Sequence, residues 1–278
     1  MLQNTFCHIP GIGSKTERDL WSAGCRSWRA ITDGKRLPLS PGKAELLRRG
    51  VRESAAHLAG GNCDYFYEHL ASNQHWRMFP DFEHSVAYVD IETTGLGGPR
   101  DYITTIVLYD GRSIRHYVHG DNLADFAGDI ARYRLLVTYN GKTFDVPFIR
   151  GDLGAPMDQA HIDLRYVLAS LGYRGGLKGC ERQLGLGRNE LAGVDGYFAV
   201  LLWRDFRRRG NERALETLLA YNVLDVVNLA TLMPLAYNMK IRQTPFAHSH
   251  KLPVPAPPPL PFTPDRDTIE RIKREHGW

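Results

Sequence analysis

The sequence is poor in cysteine, and the four it has, Cys7, Cys25, Cys63 and Cys180, are scattered with no C-x-x-C pair among them. That spacing argues against a disulfide framework and against a zinc ribbon, so four reduced thiols are expected. Long apolar runs are also lacking. No stretch reaches the roughly 18 apolar residues of a membrane span, and MLQNTFCHIPGIGSK has neither the basic start nor the apolar middle of a signal peptide. A cytoplasmic location is the expectation. Charge of one sign is scarce as well: 35 Lys and Arg stand against 31 Asp and Glu, and the net +4 alone does not name a polyanionic partner. With 43% hydrophobic and 24% charged residues in 278, disorder of the whole is excluded, and one sizeable domain plus a smaller one is expected.

The distribution of charge says more than its sum. Residues 1 to 80 hold 11 Lys and Arg against 7 Asp and Glu, whereas the remainder balances at 24 to 24. The same stretch reads as helical, over 14–23, 41–60 and 64–72, with Gly and Pro between the helices. From Glu83 the pattern changes. β-rich runs cover 85–91, 102–109, 113–118 and 135–139, the middle two joined by Asp110-Gly111, a hairpin signal. Helices are expected over 122–132, 144–150, 164–171, 177–184, 197–209 and 212–232. The sequence therefore divides into a helical region at 1–80, an α/β domain at 81–238, and a tail at 239–278. In the tail, PVPAPPPLPFTP is expected as extended polyproline II before a short helix over 265–276.

Chemistry concentrates in three places. In VAYVDIETTG, an apolar strand ends with Asp90 and Glu92, which period 2 puts on one face of the sheet. In LLVTYNGKTFDVPFI, a strand meets an Asn140-Gly141 turn and Asp145 begins the next helix. In LLAYNVLDVVNLATL, Tyr221 and Asp225 share a helix face among apolar neighbours, and no Lys or Arg within that helix pairs the acid. Carboxylates delivered by three segments into core-like surroundings, with no local base, point to divalent cations. A site of oxygen ligands with little His or Cys selects Mg²⁺ or Mn²⁺, and two such ions suit phosphoryl transfer.

These motifs in this order, D-x-E, N-G-x-x-F-D and Y-x-x-x-D, resemble the DEDD exonuclease superfamily with its RNase H-like fold, and the tyrosine resembles the DEDDy branch. GLKGCERQLGLGR and VDGYFAVLLWRDF, between the second and third motifs, are similar to a bacterial predicted exonuclease family related to the proofreading domain of B-family DNA polymerases. The resemblance covers about 82–237. It implies an RNase H-like mixed sheet flanked by helices, and a two-metal 3′-to-5′ exonuclease acting on single-stranded DNA ends and releasing nucleoside 5′-monophosphates. Carried over, it makes Asp90 the ligand shared by both ions, with Glu92 and Asp225 completing one site and Asp145 holding the other. Tyr221 orients or helps deprotonate the attacking water, and Thr93, Leu96, Asn140 and Phe144 meet the terminal nucleotide. His161 and Asp163 in HIDLR are read as structural, since the fourth acid is already supplied.

The N-terminal IPGIGSKTERDLWSAGC is similar to a helix-hairpin-helix element. Gly11 and Gly13 would let the backbone approach a phosphate at the helix start, with Lys15 adding charge. A plain helix-capping turn gives the same pattern. Gly13-Ser14-Lys15-Thr16 is not a P-loop, because Ser14 separates the Gly and Lys and no strand precedes it. Two rivals remain at this stage: an exoribonuclease, and a nucleic-acid-binding module on a nuclease scaffold without activity.

Overall fold

The computed structural model describes residues 1–277. Its centre is a five-stranded sheet formed by β1 (Val86–Thr93), β2 (Ile103–Tyr109), β3 (Ile114–Val118), β4 (Leu135–Thr138) and β5 (Ala160–Asp163). The spatial order is β3-β2-β1-β4-β5, antiparallel from β3 to β1 and parallel from β1 to β5. The Asp110-Gly111 turn makes the β2–β3 hairpin as its sequence demands: the Asp110 carboxylate accepts from the Arg112 and Ser113 amides, and Gly111 takes φ +85°. Edge strand β5 was not legible in advance, because four residues carrying a His and an Asp show no clean alternation. Its pairing to β4 reveals it.

Five helices precede the sheet: α1 (Ser14–Ser22), α2 (Trp28–Thr32), α3 (Pro41–Ala59), α4 (Cys63–His69) and α5 (Phe79–Phe82). Within and after it come α6 (Phe126–Ile130), α7 (Asp145–Leu153), α8 (Leu164–Ala169), α9 (Gly176–Gln183), α10 (Gly196–Arg209), α11 (Glu212–Ile241) and α12 (Arg266–His276). Segment 251–260 has no regular secondary structure, in keeping with its prolines, which lack the amide donor. Helix α11 continues nine residues past the expected end at 232, through Pro234, because tertiary packing on both sides outweighs the lost backbone bond. By length and composition α11 alone among the described helices could cross a membrane, yet 89% of its apolar window is buried inside the protein, where it serves as the core helix.

The strand period sorts the core. Ala87, Val89 and Ile91 face α6 and α7, packing with Phe126, Ile130 and Ile149. Val86 and Tyr88 face the other way, into a core shared with α11 and the N-terminal helices through Phe82, Trp76, Val226 and Tyr237. Asp90 and Glu92 continue this second face, so the strand that begins as core under α11 ends as a pair of carboxylates beside it.

The N-terminal helices carry their own buried ion pair. Arg77 Nη1 lies 2.7 Å from Glu17 Oε1, and the other Glu17 oxygen accepts from the Phe6 and Cys7 amides at 2.6 and 3.1 Å. Trp21 and Trp76 each lie against the guanidinium, at 5.6 and 5.4 Å. The four cysteines are free thiols.

Candidate active site

Asp90, Glu92 and Asp225 converge at the end of β1, where each offers a carboxylate oxygen and these lie within 4.8 Å of one another. β1 positions the first two, and a register shift between Glu92 and Thr93 ends regular pairing there. Asp225 arrives from α11, which crosses the same face. Asp145 is the first residue of α7 and joins them from the C-terminal end of β4. Its turn is built closely: Asn140 takes the left-handed conformation, φ 68°, and a Cβ on Gly141 would lie 2.3 Å from Thr138 Oγ1. Asp163 clamps that turn by accepting from the Asn140, Lys142 and Arg165 amides, and His161 bonds Thr138 Oγ1 at 2.8 Å. Both residues of HIDLR thus hold the Asp145 loop.

The four acids and Tyr221 line one cavity of about 640 Å³, with Asn140 and Phe144 also in its wall. That volume lies in the range of roughly 300 to 1,000 Å³ usual for small-ligand sites. Thr93 and Leu96 lie outside it. Thr93 is buried, with Oγ1 donating to the Gly95 carbonyl at 2.6 Å, and Leu96 is 93% exposed beside a neighbouring cavity that it shares with Phe144 and Phe148. Gly11, Gly13 and Lys15 stand apart at the start of α1. Gly11 has φ +82°, and neither glycine has an atom within 4 Å of where a Cβ would be.

Burial and mutual repulsion raise all four carboxyl pKa values. For Asp90 burial acts first, then Asp225, Asp145 and Glu92; for Glu92 burial acts first, then Asp225. Burial pushes Asp145 up to about 7, and Asp225 is raised by burial against the opposing pull of Arg188. Tyr221 is raised by burial and then by the neighbouring acids, which keeps its hydroxyl protonated at neutral pH.

Several partners were not foreseen. Asn222 donates to Asp90 Oδ2 at 2.7 Å and accepts from Thr105 Oγ1 at 3.0 Å, tying α11, β1 and β2 together at the site. Asp225, expected without a basic partner because α11 offers none, has one from elsewhere: Arg188 Nη2 lies 2.5 Å from its Oδ1. The three-residue spacing of Asn222, Asp225 and Asn228 on an otherwise apolar helix was the one visible signal. Arg188 sits in a loop, where no periodicity announces it. Lys178 also approaches, its amine 4.6 Å from the Tyr221 ring centre.

The donor set fits a divalent cation. Every ligating group is a carboxylate, and four of them crowd against only the Arg188 guanidinium and the Lys178 amine. Asp90, Glu92 and Asp225 could hold a metal ion, with Asp145 adjacent.

Comparison with known proteins adds the family. No curated protein matches the chain. The solved family B DNA polymerase from the hyperthermophilic archaeon Pyrobaculum calidifontis is 20% identical over 56% of this chain and 29% of its own, with a TM-score of 0.36. The chain thus spans less than a third of that polymerase's length. The model of the RNase H superfamily matches residues 87–237, more than half of the sequence, from the second residue of β1 to the last turns of α11, and with the acids converging at the end of its central strand the chain belongs to that superfamily.

Proposed function

We propose that the protein is a metal-dependent 3′-to-5′ exonuclease of the DEDDy type, acting on single-stranded DNA ends. The observation that carries this reading is the convergence of Asp90, Glu92, Asp145 and Asp225 with Tyr221 in one cavity. Asp90, Glu92 and Asp225 would hold one Mg²⁺ or Mn²⁺ ion, and Asp90 with Asp145 a second. Two such ions, when bound, supply charge stabilisation to the attacking and leaving oxygens of an in-line displacement at phosphorus.

The chain's own groups do the rest. Asn222 fixes the rotamer of Asp90, and the Asp163 clamp fixes the loop from which Asp145 projects. Tyr221 keeps its proton, so its hydroxyl orients the attacking water through a hydrogen bond and is a poor base. Asn140 and Phe144 in the cavity wall, with Thr93 through its backbone and Leu96 from the neighbouring cavity that Phe144 also lines, would meet the terminal nucleotide. The water oxygen bonds to phosphorus as the bond to the 3′-oxygen of the preceding nucleotide breaks; one proton of the water ends on that 3′-oxygen as a hydroxyl, and a nucleoside 5′-monophosphate is released. Residues 1–80 would grip the strand, with the open backbone at Gly11 and Gly13 and the amine of Lys15 meeting phosphates.

A single-stranded DNA labelled at its 5′ end and incubated with Mn²⁺ tests this reading. A ladder shortening from the 3′ end, with nucleoside 5′-monophosphates released and no activity in Asp90→Asn, is expected. Internal cleavage, loss of label before shortening, or clear preference for the matched RNA overturns it in polarity or substrate.

A further inference from the structure

The acid site contains a fixed cation that the proposed chemistry leaves unused. Arg188, on the loop after α9, has a largely covered side chain, 8% exposed. Its Nε and Nη2 donate to the two oxygens of Glu181 at 2.5 and 2.8 Å, and the same Nη2 reaches Asp225 Oδ1 at 2.5 Å. Glu181 is itself fully buried on α9 and accepts a third bond from Asn228 Nδ2, at 2.8 Å, one turn along α11 from Asp225. Arg188 Nη1 is buried with no hydrogen-bond partner. One donor edge of the guanidinium is therefore anchored, one corner rests on the carboxylate of a candidate metal ligand, and the remaining nitrogen is unsatisfied.

That arrangement is unstable towards exchange. A divalent ion at Asp225 must compete with Arg188 for the same oxygen, and a guanidinium deprived of Asp225 is left buried beside a second cation. A phosphate removes that cost, because its oxygens accept from a guanidinium in the same planar fork that a carboxylate offers. Resting on the metal-dependent reading of this site, we infer that Arg188 is an exchangeable counterion. It occupies Asp225 in the absence of metal and passes to a phosphate oxygen of the nucleotide when the ion takes Asp225. Metal and nucleotide therefore bind cooperatively, and Glu181 is the anchor that keeps the guanidinium within reach of both. By linkage each ligand tightens the other by the same factor, here on the order of tenfold.

Mn²⁺ binding to the full-length chain, followed by electron paramagnetic resonance with and without a nucleoside 5′-monophosphate, provides a readout apart from turnover. Replacing Arg188 alone would strand Glu181 as a bare buried charge, so the double variant Arg188→Met with Glu181→Gln is compared with Glu181→Gln alone. In the double variant Mn²⁺ should bind about tenfold more tightly without nucleotide, and the added nucleotide should tighten it no further. In Glu181→Gln alone Mn²⁺ should bind more weakly than in the wild type, because Arg188 loses its other partner and leans wholly on Asp225. These shifts of opposite sign cannot both come from loosened folding. Mn²⁺ binding that depends on Asp90 but shows the same nucleotide coupling in all three proteins overturns this inference and leaves the metal site standing. No Mn²⁺ binding in the wild type overturns both.

Discussion

The protein buries charge in two regions on opposite terms. Under the N-terminal helices, Glu17 and Arg77 form one anion with one cation, and the carboxylate is completed by two backbone amides. At the end of β1, four carboxylates face the Lys178 amine and one guanidinium that is already bonded to Glu181. A fold has no reason to bury charge at a loss unless something arrives to compensate it. The first region is closed and structural. The second is left open to a cation, and its cost is carried by the rest of the core.

The largest effect that would sharpen this contrast is on turnover. Asp90→Asn keeps the size of the side chain and its contact with Asn222 while removing the shared negative charge, so cleavage should fall by about 10³-fold or more. Measured without metal, its melting temperature should rise by a few degrees, since one of four repelling charges is gone. Retention of a tenth or more of wild-type activity would break the two-metal assignment. Glu17→Ala tests the other region. It leaves Arg77 buried between two tryptophans without its anion, and urea unfolding should show a loss of about 3 to 5 kcal/mol with Mn²⁺ affinity unchanged. Equal stability would mean that the pair is incidental. Removal of a buried charge should thus stabilise one region and destabilise the other.

Tyr221→Phe comes next. A lost hydroxyl misplaces a water where Asp225→Ala empties a ligand position, so the drop in kcat should stay below that of Asp225→Ala and within about 10²-fold. Full activity would make Tyr221 a core residue only.

The two regions should also differ in pH dependence. Burial lowers His8 to about 3 and His75 to about 4, so both are neutral in the folded protein. Their contribution is fully present above the unfolded histidine value of about 6.5 and is lost as pH falls through the interval down to 4 and 3. The site acids act with the reverse sign. Burial raises Asp145 to about 7, so its contribution is present below the unfolded carboxylate range near 4 and is lost as pH rises through 7. Metal-free melting curves should therefore fall off on both sides, and added Mg²⁺ should lift the alkaline side alone. A metal effect of equal size at pH 5 and pH 8 would contradict the assignment. The smallest effect concerns the grip: Lys15→Glu should weaken oligonucleotide binding and reduce the slope of its logarithm against salt by about 1, leaving turnover of a small nucleotide phosphodiester untouched.

Much of the architecture was legible because it is local. Apolar alternation in VAYV and a turn dipeptide at Asp110-Gly111 follow from backbone sterics and period, and strands β1 to β4 fall within one or two residues of where those rules place them. The acids were legible for a different reason. A carboxylate in a strand or helix that is otherwise core has a cost that no neighbour in the same segment offsets, so Asp90, Glu92 and Asp225 stand out by chemistry alone. Strand β5 was hidden because its pairing, not its composition, makes it a strand.

The amino-acid order by itself determined which face of β1 is acidic, that Asp145 begins a helix after an Asn-Gly turn, and that Tyr221 and Asp225 lie one helical turn apart. All are consequences of intervals of five residues or fewer. Only the tertiary structure decided that Asp225 meets Arg188 from 37 positions away, that Asn222 bridges to Asp90 and Thr105, and that the N-terminal helices share a core with the underside of the sheet. Chain closure over such distances is set by the packing of whole elements, and no local pattern in a loop records where its guanidinium will come to rest.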